Sequence, residues 1–246
     1  MDKIYLNGQY FAANPTYHKE DAEWKSNEII SLIMKNNLSP TSILDIGCGT
    51  GEILSLLKKK LSDSKMWVAP GYRSDESERI KYFGFDISPE AVEIAKLKEE
   101  ESNIRFFCDD ITKSEGIYTD LLLSIDVFEH IENYLEFLKN IKNRADFKIF
   151  HIPLDMTVHM VLRNSPIIYS RRKYGHLHYF SKDTALLTLR DTGYEIMDWK
   201  YTPTMFMNDR KKATKLLNII RRFVFRFNAD ISVRVFGGYS LLVLAK

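Results

Sequence analysis

Cysteine is nearly absent: the 246 residues contain two, Cys48 and Cys108. That excludes a disulfide-stapled scaffold and fits a reducing, cytoplasmic setting. No Pro/Gly-rich linker, low-complexity tract or internal repeat divides the chain, so a single domain spanning 1–246 is expected. No apolar run approaches the ~18 residues needed to cross a bilayer. The opening Met1-Asp2-Lys3-Ile4 has no basic region followed by an apolar block, so no secretory signal is expected. Nor is there an excess of charge of one sign: 35 basic and 33 acidic side chains leave +2, which argues against a polyanion binder. What is present, 45% hydrophobic and 28% charged residues, suits a soluble chain long enough to bury a large core.

Short β-rich runs alternate with helical stretches, the pattern of a parallel sheet covered on both faces. The runs are 42–46, 82–86, 104–107, 121–125 and 147–152. Helices are expected over 21–34, 52–61, 88–101, 131–142 and 181–191. Ser88-Pro89 supplies an N-cap and a first-turn proline, and Gly193 a stop. A run at 194–199 and a closing strand at 239–245 bring the total to seven. The polar stretch 62–79 falls between a helix and a strand, at the sheet end away from the ligand crevice.

The stretch Leu44-Asp45-Ile46-Gly47-Cys48-Gly49-Thr50-Gly51-Glu52 carries a strand into three alternate glycines and then a helix. Glycine permits close backbone approach, and free amides at a helix start suit an electronegative group. The second strand ends at Asp86, where a carboxylate can accept from two ribose hydroxyls. Gly47 and Asp86 lie 39 residues apart. A dinucleotide fingerprint expects ~20. The polar stretch 62–79 accounts for the excess. A dehydrogenase fits poorly because its G-x-G-x-x-G pattern requires the third glycine at position 52, which is Glu52.

With Phe85-Asp86-Ile87-Ser88, Cys108-Asp109-Asp110-Ile111 and Ser124-Ile125-Asp126-Val127-Phe128-Glu129-His130-Ile131, this loop completes four motifs in order. Together they resemble the class I S-adenosylmethionine-dependent methyltransferases of the small-molecule branch, from about Ile43 to Ile152. The resemblance implies a doubly wound, Rossmann-like, seven-stranded, mostly parallel α/β sheet with an antiparallel last strand and cap insertions after strands five and six. It divides the chain into an N-terminal helical lid (1–40), a cofactor-binding core (41–152) and acceptor-side insertions (153–180 and 201–238). It also assigns roles. Gly47, Gly49 and Gly51, with Cys48 packed among them, would wall the methionine portion, and Asp45 would orient its amino group. Asp86 would grip the ribose and Ile87 pack on the adenine. Asp110, with Asp109 the second choice, would accept from the adenine amine, unless the pair merely caps a turn. Ser124 completes the expected cofactor set, and Trp24 and Tyr17 could close over it.

The implied reaction is methyl transfer to a small-molecule or lipid-linked acceptor. O-methylation with a histidine base stands ahead of N-methylation by proximity, and a non-catalytic module that keeps the cofactor fold is the alternative. Candidate bases are His130, His151 and His178, with His159 and His176 behind them; a histidine titrates near neutral pH. His176 and His178 alternate along one extended stretch but lack a carboxylate partner motif, so no metal site is expected. Tyr201, Met205, Phe206 and Met207 could line the acceptor pocket or be core.

Charge is unevenly spread. Residues 156–182 hold five basic and no acidic side chains, and 201–238 hold eight basic and two acidic. Both segments follow strand C-terminal ends, over the expected crevice. At helical spacing Leu216, Leu217, Ile220, Phe223, Val224 and Phe227 share one side, opposite Lys211, Lys215, Arg222 and Arg226. Two readings stay open. The helix docks its apolar face and leaves a solvated basic one, or 209–228 makes a surface for anionic membrane or an anionic acceptor. No nucleic-acid recognition motif is present.

Overall fold

The structure, a computed structural model, describes residues 8, 12, 14, 16, 19–63, 80–98, 103–114, 116–204 and 212–246. Tyr17, the stretch 64–79, Met205, Phe206, Met207 and Lys211 lie outside these. The described elements are α1 (Lys19–Lys35), β1 (Ser42–Ile46), α2 (Glu52–Asp63), β2 (Lys81–Asp86), α3 (Pro89–Lys96), β3 (Ile104–Cys108), β4 (Thr119–Ile125), α4 (Tyr134–Ile141), β5 (Ala145–Pro153), α5 (Val158–Arg163), α6 (Ser165–Lys173), α7 (Lys182–Asp191), β6 (Ile196–Pro203), α8 (Lys212–Phe227), α9 (Ala229–Phe236) and β7 (Tyr239–Ala245). The strands form one sheet in the order β3-β2-β1-β4-β5-β7-β6. β1 to β5 pair in parallel, and β7 runs antiparallel to both β5 and β6. This is the expected doubly wound sheet, with cap helices α5 and α6 after β5 and α8 and α9 after β6.

Alternation along each strand builds two cores, one per face. Leu44, Leu122, Phe150, Leu241 and Val243 face α4 and α7, meeting Leu138, Ile141, Ala185 and Leu189. Ile43, Leu121, Leu123, Ile149, Leu242 and Leu244 face the other way, onto Ile29 and Ile33 of α1, Leu54 and Leu57 of α2 and Val92 of α3. The strand order reverses between β1 and β4. Ligands bind in the crevice at such a switch point, outside the carboxyl ends of the strands.

Three boundaries differ from the sequence-based expectation. The helix expected over 88–101 ends at Lys96, because the next apolar residue, Leu97, is 76% exposed and has no core to hold it. Ser88 caps its start, accepting from the Ala91 amide. The helix expected from Ile131 begins at Tyr134. A 3₁₀ turn, Phe128–His130, comes first, and Ile131 is extended, with its carbonyl accepting from His178 Nε2 at 2.9 Å. The run expected over 194–199 shifts to Ile196–Pro203, set by its register with β7. Tyr194 is instead a core residue, its hydroxyl donating to the Leu138 carbonyl at 2.6 Å.

Phe128 is fully buried at the tip of β4, edge-on to Phe150 and Phe180 and stacked on Tyr134. It joins the sheet, α4 and the segment that precedes α7. Phe128→Ala therefore should cost about 3–5 kcal/mol of unfolding free energy, read by urea titration at neutral pH.

Candidate active site

β1 runs into a turn with Gly47 at φ +71° and Gly49 at φ +53°. A methyl group at Gly47 would stand 2.6 Å from Val127 Cγ2, and one at Gly51 2.5 Å from Phe106 Cζ, so neither position admits a side chain. The turn is clamped to β2. The Gly47 and Cys48 amides donate to the Phe85 carbonyl at 2.7 and 3.0 Å, and the Gly49 amide donates to Asp86 Oδ2 at 2.8 Å. Asp86 Oδ1 accepts from the Ser88 amide at 2.8 Å. Burial raises the Asp86 carboxyl above its usual range, against the opposing pull of these amides. Burial likewise pushes the Cys48 thiol up, so it acts as a packing residue.

The turn opens on a cleft of about 1170 Å³ at the carboxyl ends of the strands. On the β2–β3 side it is lined by Gly47, Cys48, Gly49, Asp86, Ile87, Asp109 and Asp110, and on the β4–β5 side by Asp126, His130, His151, Asp155 and His176. Asp45, Gly51 and Ser124 stand behind the wall. Asp45 Oδ1 and Ser124 Oγ are buried and take no hydrogen bond among the described residues. Burial, with the nearby Asp86, raises the Asp45 carboxyl well above its ordinary value. Asp109 and Asp110 do cap a turn: Asp109 accepts from the Asp110 amide and Ser114, and Asp110 from Thr112 and Lys113. They line the cleft as well, so capping the turn does not take them out of it.

Asp126 follows β4 at φ +55°, a left-handed position that aspartate tolerates. Its Oδ1 accepts from His151 Nδ1 at 2.6 Å, and its Oδ2 from Lys25 Nζ of α1 at 2.7 Å. His151 Nε2 meets Thr202 Oγ1 of β6 at 2.9 Å. Burial would raise the Asp126 carboxyl, but the charges of His151 and Lys25 outweigh it and hold the group well below the usual carboxylate range. Burial would lower Lys25, yet Asp126, chiefly, keeps it raised. Sequence reading missed Lys25, Asp126, Glu129 and Asp155. Asp126 and Glu129 stand inside the fourth motif, which was the available signal.

The histidines divide. His130 and His176 line the cleft, their rings edge-on at 4.9 Å, and His176 Nδ1 bonds Asp155 Oδ2 at 2.8 Å. His151 also lines the cleft, but both of its nitrogens are engaged as above. His178 does not line it: its Nε2 donates to the Ile131 carbonyl and its ring packs on Tyr134. His176 and His178 thus do not face one way, because the segment is stitched to the 3₁₀ turn through Glu129 and Ile131. His159 bonds Arg163 on α5 and lies off the cleft. Trp24 lines the cleft from α1, edge-on to His151 at 5.6 Å, and Asn14 donates to the Lys173 carbonyl at 3.1 Å.

A carboxyl held below its unfolded value stabilises the fold above that value and loses the contribution as pH falls through the folded one. Asp126→Asn, which keeps the shape and tolerates positive φ, should cost about 2–4 kcal/mol at pH 7. The gap to wild type should narrow below about pH 4, where unfolded aspartate protonates. Denaturant titrations at pH 7, 5 and 3 measure it.

Comparison with known proteins agrees with this geometry. The family described as "Methyltransferase domain" matches residues 18–198. The chain is 29% identical over 105 residues to the malonyl-[acyl-carrier protein] O-methyltransferase of Acetivibrio thermocellus, covering 42% of this chain and 31% of that one. It is 33% identical over 120 residues to a Mycobacterium tuberculosis protein provisionally assigned as a methyltransferase, covering 45% and 63%. The chain thus spans less than two thirds of either relative's length. Magnesium protoporphyrin IX methyltransferase from Synechocystis PCC 6803, crystallised with bound SAH, shares the fold: TM-score 0.57 at 17% identity, over 91% of this chain and 81% of that one. The sheet, the glycine turn and the family match lead to one assignment: the chain belongs to the methyltransferase-domain family, among the S-adenosylmethionine-dependent methyltransferases.

Proposed function

We propose that this protein transfers the methyl group of S-adenosylmethionine to a hydroxyl or carboxyl oxygen of a small-molecule or lipid-linked acceptor. One observation carries the reading: a single cleft joins the glycine turn and Asp86 to a histidine pair beyond the ends of β4 and β5. Asp86 holds the ribose, since each of its oxygens keeps acceptor capacity beyond one backbone amide. Gly47 and Gly49 wall the methionine portion. Ile87 packs on the adenine, with Asp110, then Asp109, accepting from its amine. Asp45, Gly51 and Ser124 act from behind the wall, Asp45 through its unsatisfied oxygen.

Methyl transfer is an in-line displacement at an activated sulfonium carbon, so the protein must align the acceptor, exclude water and take up a proton. His130 and His176 stand where an acceptor oxygen would approach. His151, with both nitrogens engaged, positions Asp126 rather than touching the acceptor. Trp24 and the described residues of the N-terminal segment (1–40) act as the lid over the core (41–152), and the described residues of 153–180 and 201–238 shape the acceptor side. The relative named as an O-methyltransferase favours oxygen as the receiving atom.

The acceptor side also carries a membrane-facing surface. Most of the apolar side of α8 expected to dock stays outside. The helix docks through buried Asn218 and Arg221, whose guanidinium donates to the Phe236 carbonyl at 2.7 and 3.1 Å, and through Phe225, stacked on Tyr239 at 4.8 Å; Leu217 and Val224 are half-buried, and Leu216, Ile219, Phe223 and Phe227 are left at 62–74% exposure. Exposed Lys215, Arg222 and Arg226 flank this crest, and Val161 and Leu162 project from α5, which packs on α9 beside it. Apolar anchors with cations along one flank suit an anionic bilayer surface. No described helix is long and apolar enough to cross a membrane.

Calorimetry with S-adenosylmethionine tests the core of the reading. Asp86→Ala should weaken binding about a hundredfold, the loss of two charge-assisted hydrogen bonds of ~1.5 kcal/mol each. Folded wild-type protein that binds no cofactor would refute it. For the surface, co-sedimentation with phosphatidylserine-containing vesicles should exceed that with neutral vesicles. Arg222→Glu with Arg226→Glu should weaken it at least about tenfold, at ~1 kcal/mol per basic residue. Equal behaviour on both vesicles would remove the membrane from the proposal.

A further inference from the structure

Glu129, His130 and His176 bring one carboxylate and two imidazoles together, with ligand-capable atoms all within 4.8 Å of one another. Glu129 is 1% exposed, and neither of its carboxylate oxygens takes a hydrogen bond among the described residues. Buried charges are costly unless they are paired or coordinate a metal. His130 Nε2 stands 3.7 Å from Glu129 Oε1. Metal–ligand bonds of ~2.1 Å put tetrahedral ligand atoms roughly 3.4 Å apart, so this pair already has nearly the spacing of a coordination shell.

His176 supplies a second mark. Its Nδ1 is bound to Asp155 Oδ2 at 2.8 Å, which leaves Nε2 as the ligating nitrogen. A carboxylate behind an imidazole is the outer-shell arrangement that orients metal-bound histidines and raises their basicity. The two ligand-bearing segments are also prefastened. The Leu177 and His178 amides donate to the Glu129 carbonyl at 2.8 and 3.1 Å, and His178 Nε2 to the Ile131 carbonyl. A cation would therefore find its ligands gathered rather than have to gather them.

We propose that Glu129, His130 and His176 form a site for one first-row divalent cation, zinc foremost, with its open coordination toward the cleft that His130 and His176 line. Two imidazoles and one carboxylate suit zinc, whereas magnesium and calcium call for oxygen ligands throughout. Three protein ligands leave a position for water or an incoming oxygen. On the methyl-transfer reading, from which this role follows, that position receives the acceptor oxygen; the cation lowers the pKa of its hydroxyl so that the proton leaves to water in the cleft, and His130 and His176 then act as ligands in place of bases. Cation binding itself does not depend on that reading.

The test uses the full chain stripped with chelator and titrated calorimetrically with zinc chloride, then with magnesium chloride. Wild type should take up one zinc per chain, with magnesium at least a hundredfold weaker. Glu129→Gln and His176→Ala should each lose at least a hundredfold in zinc affinity, and Asp155→Asn ten- to a hundredfold. Thermal melting of each preparation establishes folding, and zinc should raise the midpoint of wild type but not of His176→Ala. Should His176→Ala not fold, His176→Gln takes its place. Folded wild type without zinc uptake, or variants that bind as wild type does, would overturn the site. S-adenosylmethionine titration of the same samples separates the failures: cofactor binding without zinc binding removes the cation site alone.

Discussion

The carboxylate of Asp126 is the point on which the site depends. It accepts from His151 on β5 and from Lys25 on α1, while its own amide donates to the His151 carbonyl at 3.0 Å. Through His151 the contact extends to Thr202 on β6. Four elements thus meet at one residue just past β4, held by a charged network whose partners are largely out of water. Such a network contributes little net stability but penalises any arrangement that leaves one member unpaired. It ties the cleft end of α1, already seated on the sheet by Ile29 and Ile33, to the site beside Trp24. It also fixes the approach of β5 to β6 beyond what backbone pairing through β7 determines.

The second constraint is the close approach of β1 and β2 at the glycine turn. Val127 and Phe106 occupy the space where side chains at positions 47 and 51 would go. The glycines therefore serve packing as much as access, and Gly51 does so from behind the cleft wall. This is why the turn can lie so near Asp86 that backbone amides reach its carboxylate. Burial favours the neutral form of Asp45 and Asp86, and at Asp86 the amides that reach its carboxylate pull the other way.

Most of the fold was legible in the sequence, because a parallel sheet writes its strands as short apolar runs and its helices as spaced ones. The glycine turn and Asp86 were legible for the same reason: their pattern is local. The His151–Asp126–Lys25 network was not, since its members lie 25 and 101 residues apart and no periodicity links them. His178 misled because alternation along an extended run predicts a common direction, whereas the segment bends around the Glu129 carbonyl. The orientation of α8 was illegible on different grounds. Spacing tells which residues share a face, not which face docks, and here a buried arginine with a carbonyl partner and Phe225 stacked on Tyr239 set the docked side, leaving Leu216, Ile219, Phe223 and Phe227 outside. Ile131 and Leu97 show the limit at element ends, where a neighbour's hydrogen bond or the lack of a core decides the boundary.

The arginine that docks α8 has a mechanical meaning. Arg221 grips the carbonyl of Phe236, and the next two residues, Gly237 and Gly238, turn the chain into β7 at positive φ. Gly238, Tyr239 and Ser240 form part of the cleft wall. The corner is held from both sides, since the Gly237 amide donates to the Val233 carbonyl at 3.0 Å and the Thr204 amide to the Gly238 carbonyl at 3.1 Å. The helix with the exposed apolar crest and this stretch of the cleft wall are thus fastened to one and the same turn.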